Sequence, residues 1–372
     1  MKFTCIIMVF AATLIPILSV GAQEPASDEA LFNDAIQRMS HEGATEADMT
    51  TGADVLRNLA AKGYGKALNE IGAFHANGAI SEFPKDCGKA MEYFLKAWDA
   101  KELQAAQNIA VLYRMGDCFE PDTLKALEWT KKGAEAGFVG SMLDLGLYYL
   151  EPKYGQEIDS ISALGWFRKA AELGNGPAMW QLSRFYHNKA NAEEARYWLK
   201  TGCEVNDIYC LHGYGLCLKN GSDGIAQDVD LAAHYFKKAA DMYGFEESQM
   251  EYANYCDTKG DYASAADYYH SAAEQGNILS MVNIADYHIA GKGGLIKDDK
   301  MAFEWYERGF NSHPRNGEEF AWGLYCYARM GLCYYLGKGV TQDTQKGRDI
   351  LYQLAGQDFP TAIDYIRNLN IR

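Results

Sequence analysis

The sequence predicts an all-α protein made of consecutive helix pairs that pack antiparallel. An apolar residue at helical spacing, followed by a small residue, recurs eight times at intervals of 32 to 46 residues. A second helical pattern with a small-plus-aromatic seam lies between successive copies, and glycine-containing turns often separate the two. Self-similarity at such a period is typical of repeat proteins. We therefore expect one long array of helix pairs.

The first element, residues 1–22, is interpreted as a secretory signal. Lys2 precedes an uncharged apolar run from Phe3 to Val20, and small residues at Val20 and Ala22 fit signal cleavage after Ala22. The alternative is an uncleaved membrane anchor, because the run is nearly long enough to span a bilayer. Pro16 and the small-residue exit favour cleavage. We expect a periplasmic or secreted protein without a transmembrane segment after cleavage.

Residues 23–63 are expected to form a leader and a degenerate capping repeat. Apolar spacing predicts one helix over Asp28–Met39 and a second over Val55–Ala61. Terminal repeats usually depart from the consensus because they have only one neighbour.

About eight repeats are predicted over residues 64–358, followed by a C-terminal capping helix within residues 359–372. The first helix of each repeat has an apolar anchor; the anchors are Ile71, Ile109, Leu145, Leu182, Tyr214, Tyr252, Ile284 and Met330. The small residue after each anchor would let two helices approach closely. In the repeat that contains Ile284, Asp299 is predicted to cap the second helix.

Several segments resemble a known repeat. Gly337-Lys-Gly-Val-Thr-Gln-Asp343, with the Lys-Ala-x-x-Trp and Ala-Ala-Glu-Gln-Gly segments, is similar to the Sel1-like repeat, a longer-looped relative of the tetratricopeptide repeat. The resemblance covers Asp54–Leu369. It implies a right-handed α-solenoid whose first helices line the concave side, and it implies scaffold or adaptor roles.

Eight cysteines follow the signal, and an even number in an exported chain suggests disulfides. Cys87 starts a second helix and Cys118 follows the next first helix, so antiparallel packing would bring them together. Cys203 and Cys210 flank a turn between helices, which makes a bridge reasonable; their spacing is also similar to that of paired cysteines in a cysteine-rich bacterial branch of the family. The bonding state is left open for Cys217, Cys256, Cys326 and Cys333.

The sequence lacks the common motifs of catalytic and metal-binding sites. Gly-x-Ser-x-Gly, Ser-x-x-Lys, a phosphate-binding loop, His-Glu-x-x-His and Cys-x-x-Cys are all missing from the 372 residues. We therefore predict no catalytic residue, no cofactor and no metal site. The net charge of −15 argues against nucleic acid as a partner, because phosphate would be repelled.

Polar positions on the first helices are the candidate contacts for a partner. Trp180, Arg184 and His187 share one helix face at a spacing of three to four and form the densest candidate patch. Asn108 and Asn283 could hydrogen-bond a peptide backbone, and Asn254 belongs to a second polar stripe. The alternative is a solvated helix face, or a core position for Trp180.

These observations predict an exported monomer that binds a protein or peptide in a preformed concave groove without covalent chemistry. One alternative is an envelope enzyme acting on cell-wall or β-lactam substrates, because cysteine-rich relatives look linked to penicillin binding and β-lactam hydrolysis. The missing Ser-x-x-Lys counts against the usual serine mechanism. Another alternative is a purely structural envelope protein.

Overall fold

The computed structural model describes residues 27–151 and 158–371, and these residues form 19 helices. The predicted signal at 1–22 and its cleavage after Ala22 lie outside the described residues. In chain order the helices are α1 Asp28–Ser40, α2 Glu46–Ala61, α3 Gly65–Asn77, α4 Cys87–Asp99, α5 Gln104–Met115, α6 Thr123–Glu135, α7 Val139–Leu150, α8 Ser160–Glu172, α9 Gly176–Asn188, α10 Ala192–Glu204, α11 Ile208–Asn220, α12 Val229–Tyr243, α13 Glu246–Lys259, α14 Tyr262–Glu274, α15 Ile278–Ala290, α16 Asp299–Asn311, α17 Gly317–Leu336, α18 Thr344–Ala355 and α19 Pro360–Asn368.

The helices are grouped into two compact units, the first ending at Ala178 and the second beginning at Met179. In unit 1 the pairs are α1 with α2, α3 with α4, α5 with α6 and α7 with α8. In unit 2, α11 to α18 pair in the same way and α19 packs against α17 and α18. Short connections make the paired helices antiparallel. The predicted all-α class, a solenoid of antiparallel helix pairs, is confirmed within each unit.

The small residue after each anchor explains how closely the helices of a pair approach. A Cβ on Gly72 would lie 2.7 Å from Cδ1 of Phe94, and one on Gly215 would lie 2.6 Å from Cε1 of Phe236. Those distances are too short for real carbon atoms, so the aromatic ring of the second helix needs glycine opposite it. Ile71, the anchor before Gly72, is fully buried.

Acidic caps start many of the second helices. The carboxylate of Asp298 accepts hydrogen bonds from the backbone N–H groups of Lys300 and Met301, at 2.9 and 3.0 Å. The prediction that Asp299 caps this helix is therefore wrong by one residue, because the helix already begins at Asp299. An acidic side chain in the first turn still complements the helix dipole.

The second helix of the capping repeat is longer than predicted, beginning at Glu46 and not at Val55. Thr45 and Asp48 form a capping box at its start. The extra turns include Gly52, whose helix propensity is low. Packing against α1 stabilises these turns. Gly52 lies so close to α1 that any side chain at this position would overlap Met39.

Of the two predicted cysteine pairs, one lies within bonding distance and the other does not. The sulfurs of Cys87 and Cys118 lie within bonding distance of each other and connect the start of α4 to the segment after α5. The predicted bridge between Cys203 and Cys210 is wrong in this structure, where both are buried thiols. Sγ of Cys203 lies 3.3 Å from the carbonyl oxygen of Cys210, and Sγ of Cys210 lies against Gly202 instead.

The longest interval between anchors comes from an insertion before Met330. Residues 312–316 connect α16 to α17, and α17 spans 20 residues where neighbouring first helices span 13 or 14. The added length brings Arg315 to the start of α13, where its guanidinium donates to Glu246 at 2.7 and 2.8 Å.

Candidate binding site between α9 and α11

A cavity of about 300 Å³ lies between α9 and α11 in unit 2. Trp180, Arg184 and His187 line it from α9, and Gly213 and Leu216 line it from α11. The structure thus brings the three residues of the predicted patch together around one opening. Pockets of this size occur at the small end of ligand sites in proteins.

Trp180 forms one wall of the cavity and is half-buried, which excludes a fully buried core position. Its indole lies across Gly213, where an added Cβ would be 2.6 Å from Cζ3. The ring also stacks on Tyr209, with centroids 6.2 Å apart and planes 22° apart. Because both contacts restrict the indole, this wall is preorganised.

Arg184 lies one helical turn from Trp180 and is exposed. Its guanidinium makes no hydrogen bond or ion pair within the residues that the structure describes, and it lies at the cavity rim. It is therefore available to an external anion. Aromatic and arginine side chains are enriched among the residues that dominate binding energy at protein interfaces.

The segment after α11 contacts α9 at the cavity, beside Arg184. Nδ1 of His187 lies 2.8 Å from Oδ1 of Asp223, and Sγ of Cys217 lies 3.5 Å from Oδ2. The Asp223 side chain is only 14 % exposed. Burial raises the pKa of the Cys217 thiol, so at neutral pH it stays protonated and is a poor nucleophile.

The face continues onto α13. The Tyr209 ring meets the Phe245 ring edge-on at 5.7 Å, and Nδ1 of His212 lies 2.9 Å from Oγ of Ser248. Burial lowers the pKa of His212 to about 4, so this imidazole is neutral at physiological pH. The N-terminal halves of the three first helices are therefore joined by aromatic and neutral polar contacts.

The other predicted contact residues lie elsewhere. Asn108 is 5 % exposed, and its amide donates to Oδ1 of Asn69 at 2.9 Å, so the prediction that it contacts a partner is wrong. Asn108 therefore faces the neighbouring first helix, α3, and not the solvent. Asn254 and Asn283 lie half-buried on α13 and α15, outside this cavity. The side-chain oxygen of Asn254 already accepts from the Tyr269 hydroxyl at 2.7 Å.

Sequence reasoning missed Gly213 and Asp223 as parts of the site. Gly213 directly precedes the anchor Tyr214, at a position where the other repeats have larger polar residues. This difference is visible in the sequence and could have indicated Gly213. Asp223 follows α11 with a φ of 53°, and nothing in the repeat pattern indicates that it reaches His187.

A second cavity, of about 330 Å³, lies at the N-terminal ends of α13, α15 and α17. Its lining includes Glu247, Glu318 and Glu319 beside Arg315 and Trp322. Acidic residues in first helical turns are favoured by the helix dipole, so these side chains have a structural explanation. Across the described ranges of the chain, no helix is long and apolar enough to cross a membrane.

The Sel1 repeat matches the chain at eight places, which are residues 65–100, 103–138, 139–175, 176–207, 208–243, 247–277, 278–311 and 324–359. Among solved structures, the chain is similar to a Sel1 repeat protein from Oxalobacter formigenes, with a TM-score of 0.56 and 20 % identity over 95 % of this chain and 98 % of that one. It is also similar to c5321, a protective antigen of uropathogenic Escherichia coli with an SLR fold, with a TM-score of 0.55 and 22 % identity over 93 % and 81 %. These identities support the fold alone.

Two curated proteins are similar to part of this chain. The chain is 24 % identical over 308 residues to chitin synthase regulatory factor 3 of Schizosaccharomyces pombe, covering 80 % of this chain and 28 % of that protein. It is 26 % identical over 174 residues to cytochrome c oxidase assembly factor 7 of Xenopus tropicalis, covering 44 % and 70 %. The chain thus spans little more than a quarter of the first relative's length.

Proposed function

The chain belongs to the Sel1 repeat family, and from this premise we propose that it is a non-catalytic scaffold or adaptor that binds a protein or peptide through its first helices. Repeats of the Sel1 and tetratricopeptide type typically mediate protein–protein interaction. The two curated relatives are named as a regulatory factor and an assembly factor, in keeping with such a role. The family resemblance predicted from sequence is confirmed.

The single observation that carries the proposal is the α9–α11 cavity. It combines a fixed aromatic wall, Trp180, with a free guanidinium, Arg184. A preformed site of this kind needs no covalent step, because binding energy comes from filling the cavity and pairing the charge. The family resemblance implies that first helices such as α9 and α11 line the concave face, and this expectation supports the proposal.

We propose further that the protein acts as a monomer in the periplasm or outside the cell. The apolar run from Phe3 to Val20 and the small residues before Gln23 support export. The paired sulfurs of Cys87 and Cys118 also favour an oxidising compartment, where such bonds persist.

Affinity capture with the chain from Gln23 onward tests the proposal. We expect a partner that is retained by the native protein, lost when Trp180→Ala and Arg184→Ala are combined, and retained by Lys297→Ala. Lys297 is exposed on the segment between α15 and α16 and is the matched control. Equal retention by the double variant and the native protein, at equal helical circular-dichroism signal, would remove this cavity as the binding site.

The two alternative functions predict other results. An envelope enzyme acting on β-lactams would turn over nitrocefin, and the turnover would disappear on mutation of one residue. A purely structural envelope protein would show no saturable partner in the same capture. The proposal predicts neither outcome.

A further inference from the structure

We infer that the α9–α11 cavity selects an acidic partner segment, which places an aromatic or branched aliphatic side chain in the cavity and a carboxylate beside Arg184. The assignment rests on the function proposed above and gives the partner its chemistry. A basic segment of similar size would bring a positive charge against the same guanidinium.

The two helices that form the cavity differ in charge from the rest of the protein. α9 and α11 each span 13 residues and contain no Asp or Glu, whereas the whole sequence has 50 acidic residues against 35 Lys and Arg. α9 carries Arg184 and His187, and Lys189 follows it. The next first helix, α13, has four acidic residues within 14. These two helices are therefore a local exception to the acidic character of the chain.

The one acidic side chain known to line the cavity, Asp223, is already engaged. Both of its oxygens lie within 3.0 Å of Nδ1 of His187, and its Oδ2 also lies 3.5 Å from Sγ of Cys217. Arg184 is left as the charged group on the rim that is free to bind. Remote charges are screened beyond about 8 Å at physiological ionic strength, so acidic residues elsewhere on the chain contribute little beside Arg184.

The shape of the cavity explains why an apolar side chain should accompany the carboxylate. Leu199, Gly213 and Leu216 form apolar lining beside the Trp180 indole. About 300 Å³ is enough for one large side chain and too little for a folded element. Burying such a side chain supplies affinity, and the charge at the rim supplies selectivity.

Fluorescence anisotropy with two labelled probe peptides tests this assignment on the full chain. The probes are Gly-Ser-Asp-Phe-Asp-Ser-Gly and Gly-Ser-Lys-Phe-Lys-Ser-Gly. We expect the native protein to bind the acidic probe at least about 10-fold more tightly than the basic one. Arg184→Glu should reverse this preference, and Trp180→Ala should weaken both complexes. Lys297→Glu makes the same change of charge on another exposed segment and should leave the preference intact.

The outcomes separate the partner chemistry from the proposed function. Equal binding of the two probes, an unchanged preference in Arg184→Glu, or no saturation by either probe up to about 1 mM would overturn the acidic-partner assignment. The scaffold function would survive any of these results if Trp180→Ala still loses the captured partner. A partner retained by both Trp180→Ala and Arg184→Glu would overturn the assignment and the proposed site together.

Discussion

At the scale of single residues, Glu70 links the stability of unit 1 to pH. Its Oε1 is buried without a hydrogen-bond partner among the described residues, and burial raises its pKa to about 7 from a usual value of 4.5. The folded state therefore holds the proton more tightly than the unfolded state does. The resulting stability is complete below pH 4.5 and is lost as pH rises through about 7.

Glu70→Gln should consequently raise the melting temperature at pH 8 and change it little at pH 5. Glutamine keeps the shape of the side chain and never ionises, so the variant should gain about 1–3 kcal/mol at the higher pH. Thermal unfolding followed by circular dichroism at both pH values provides the measurement. Glu135→Gln, at an exposed position in the same unit, is the control and should show no such difference. Parallel melting curves for Glu70→Gln and native protein across this pH range would contradict the account.

At the scale of elements, the insertion before α17 ties three first helices together. Arg315 donates to Glu246 at the start of α13 and to Glu319 in α17. Nδ2 of Asn277, the cap of α15, donates to the same Glu246 at 2.6 Å. Glu246 is only 8 % exposed, so its carboxylate depends on these donors. The connection is therefore a structural clamp within unit 2.

Arg315→Ala should destabilise unit 2 by about 1–3 kcal/mol, because it leaves Glu246 buried without its cationic partner. The loss should be smaller when Glu246→Gln is already present, since a neutral amide needs that partner less. Urea unfolding of both single variants and the double variant gives the coupling energy. Additive effects would show that the contact contributes no coupling and that α17 is held by apolar packing alone.

At the scale of the whole molecule, the repeat could be predicted from the sequence, whereas only the α9 part of the site, Trp180, Arg184 and His187, could be. The repeat could be predicted because each pair is specified locally, as in Gly72 opposite Phe94. The site draws on α9, α11 and the segment that contains Asp223, and repeat spacing says nothing about their distances. Asn108 shows the same limit: the sequence marks it as polar, but only the packing of neighbouring first helices shows that it faces Asn69. Cys203 and Cys210 show that closeness in sequence does not fix the direction of two sulfurs.

Site-specific photocrosslinking can show whether a partner protein docks over the α9–α11 cavity. A photoreactive phenylalanine would be placed at Asn188, which is exposed and lines the cavity, and separately at the exposed Lys297. We expect a crosslinked adduct with the captured partner at Asn188 that unlabelled native protein competes away, and none at Lys297. An adduct at Lys297 alone, or equal adducts at both positions, would show that the partner does not dock over this cavity.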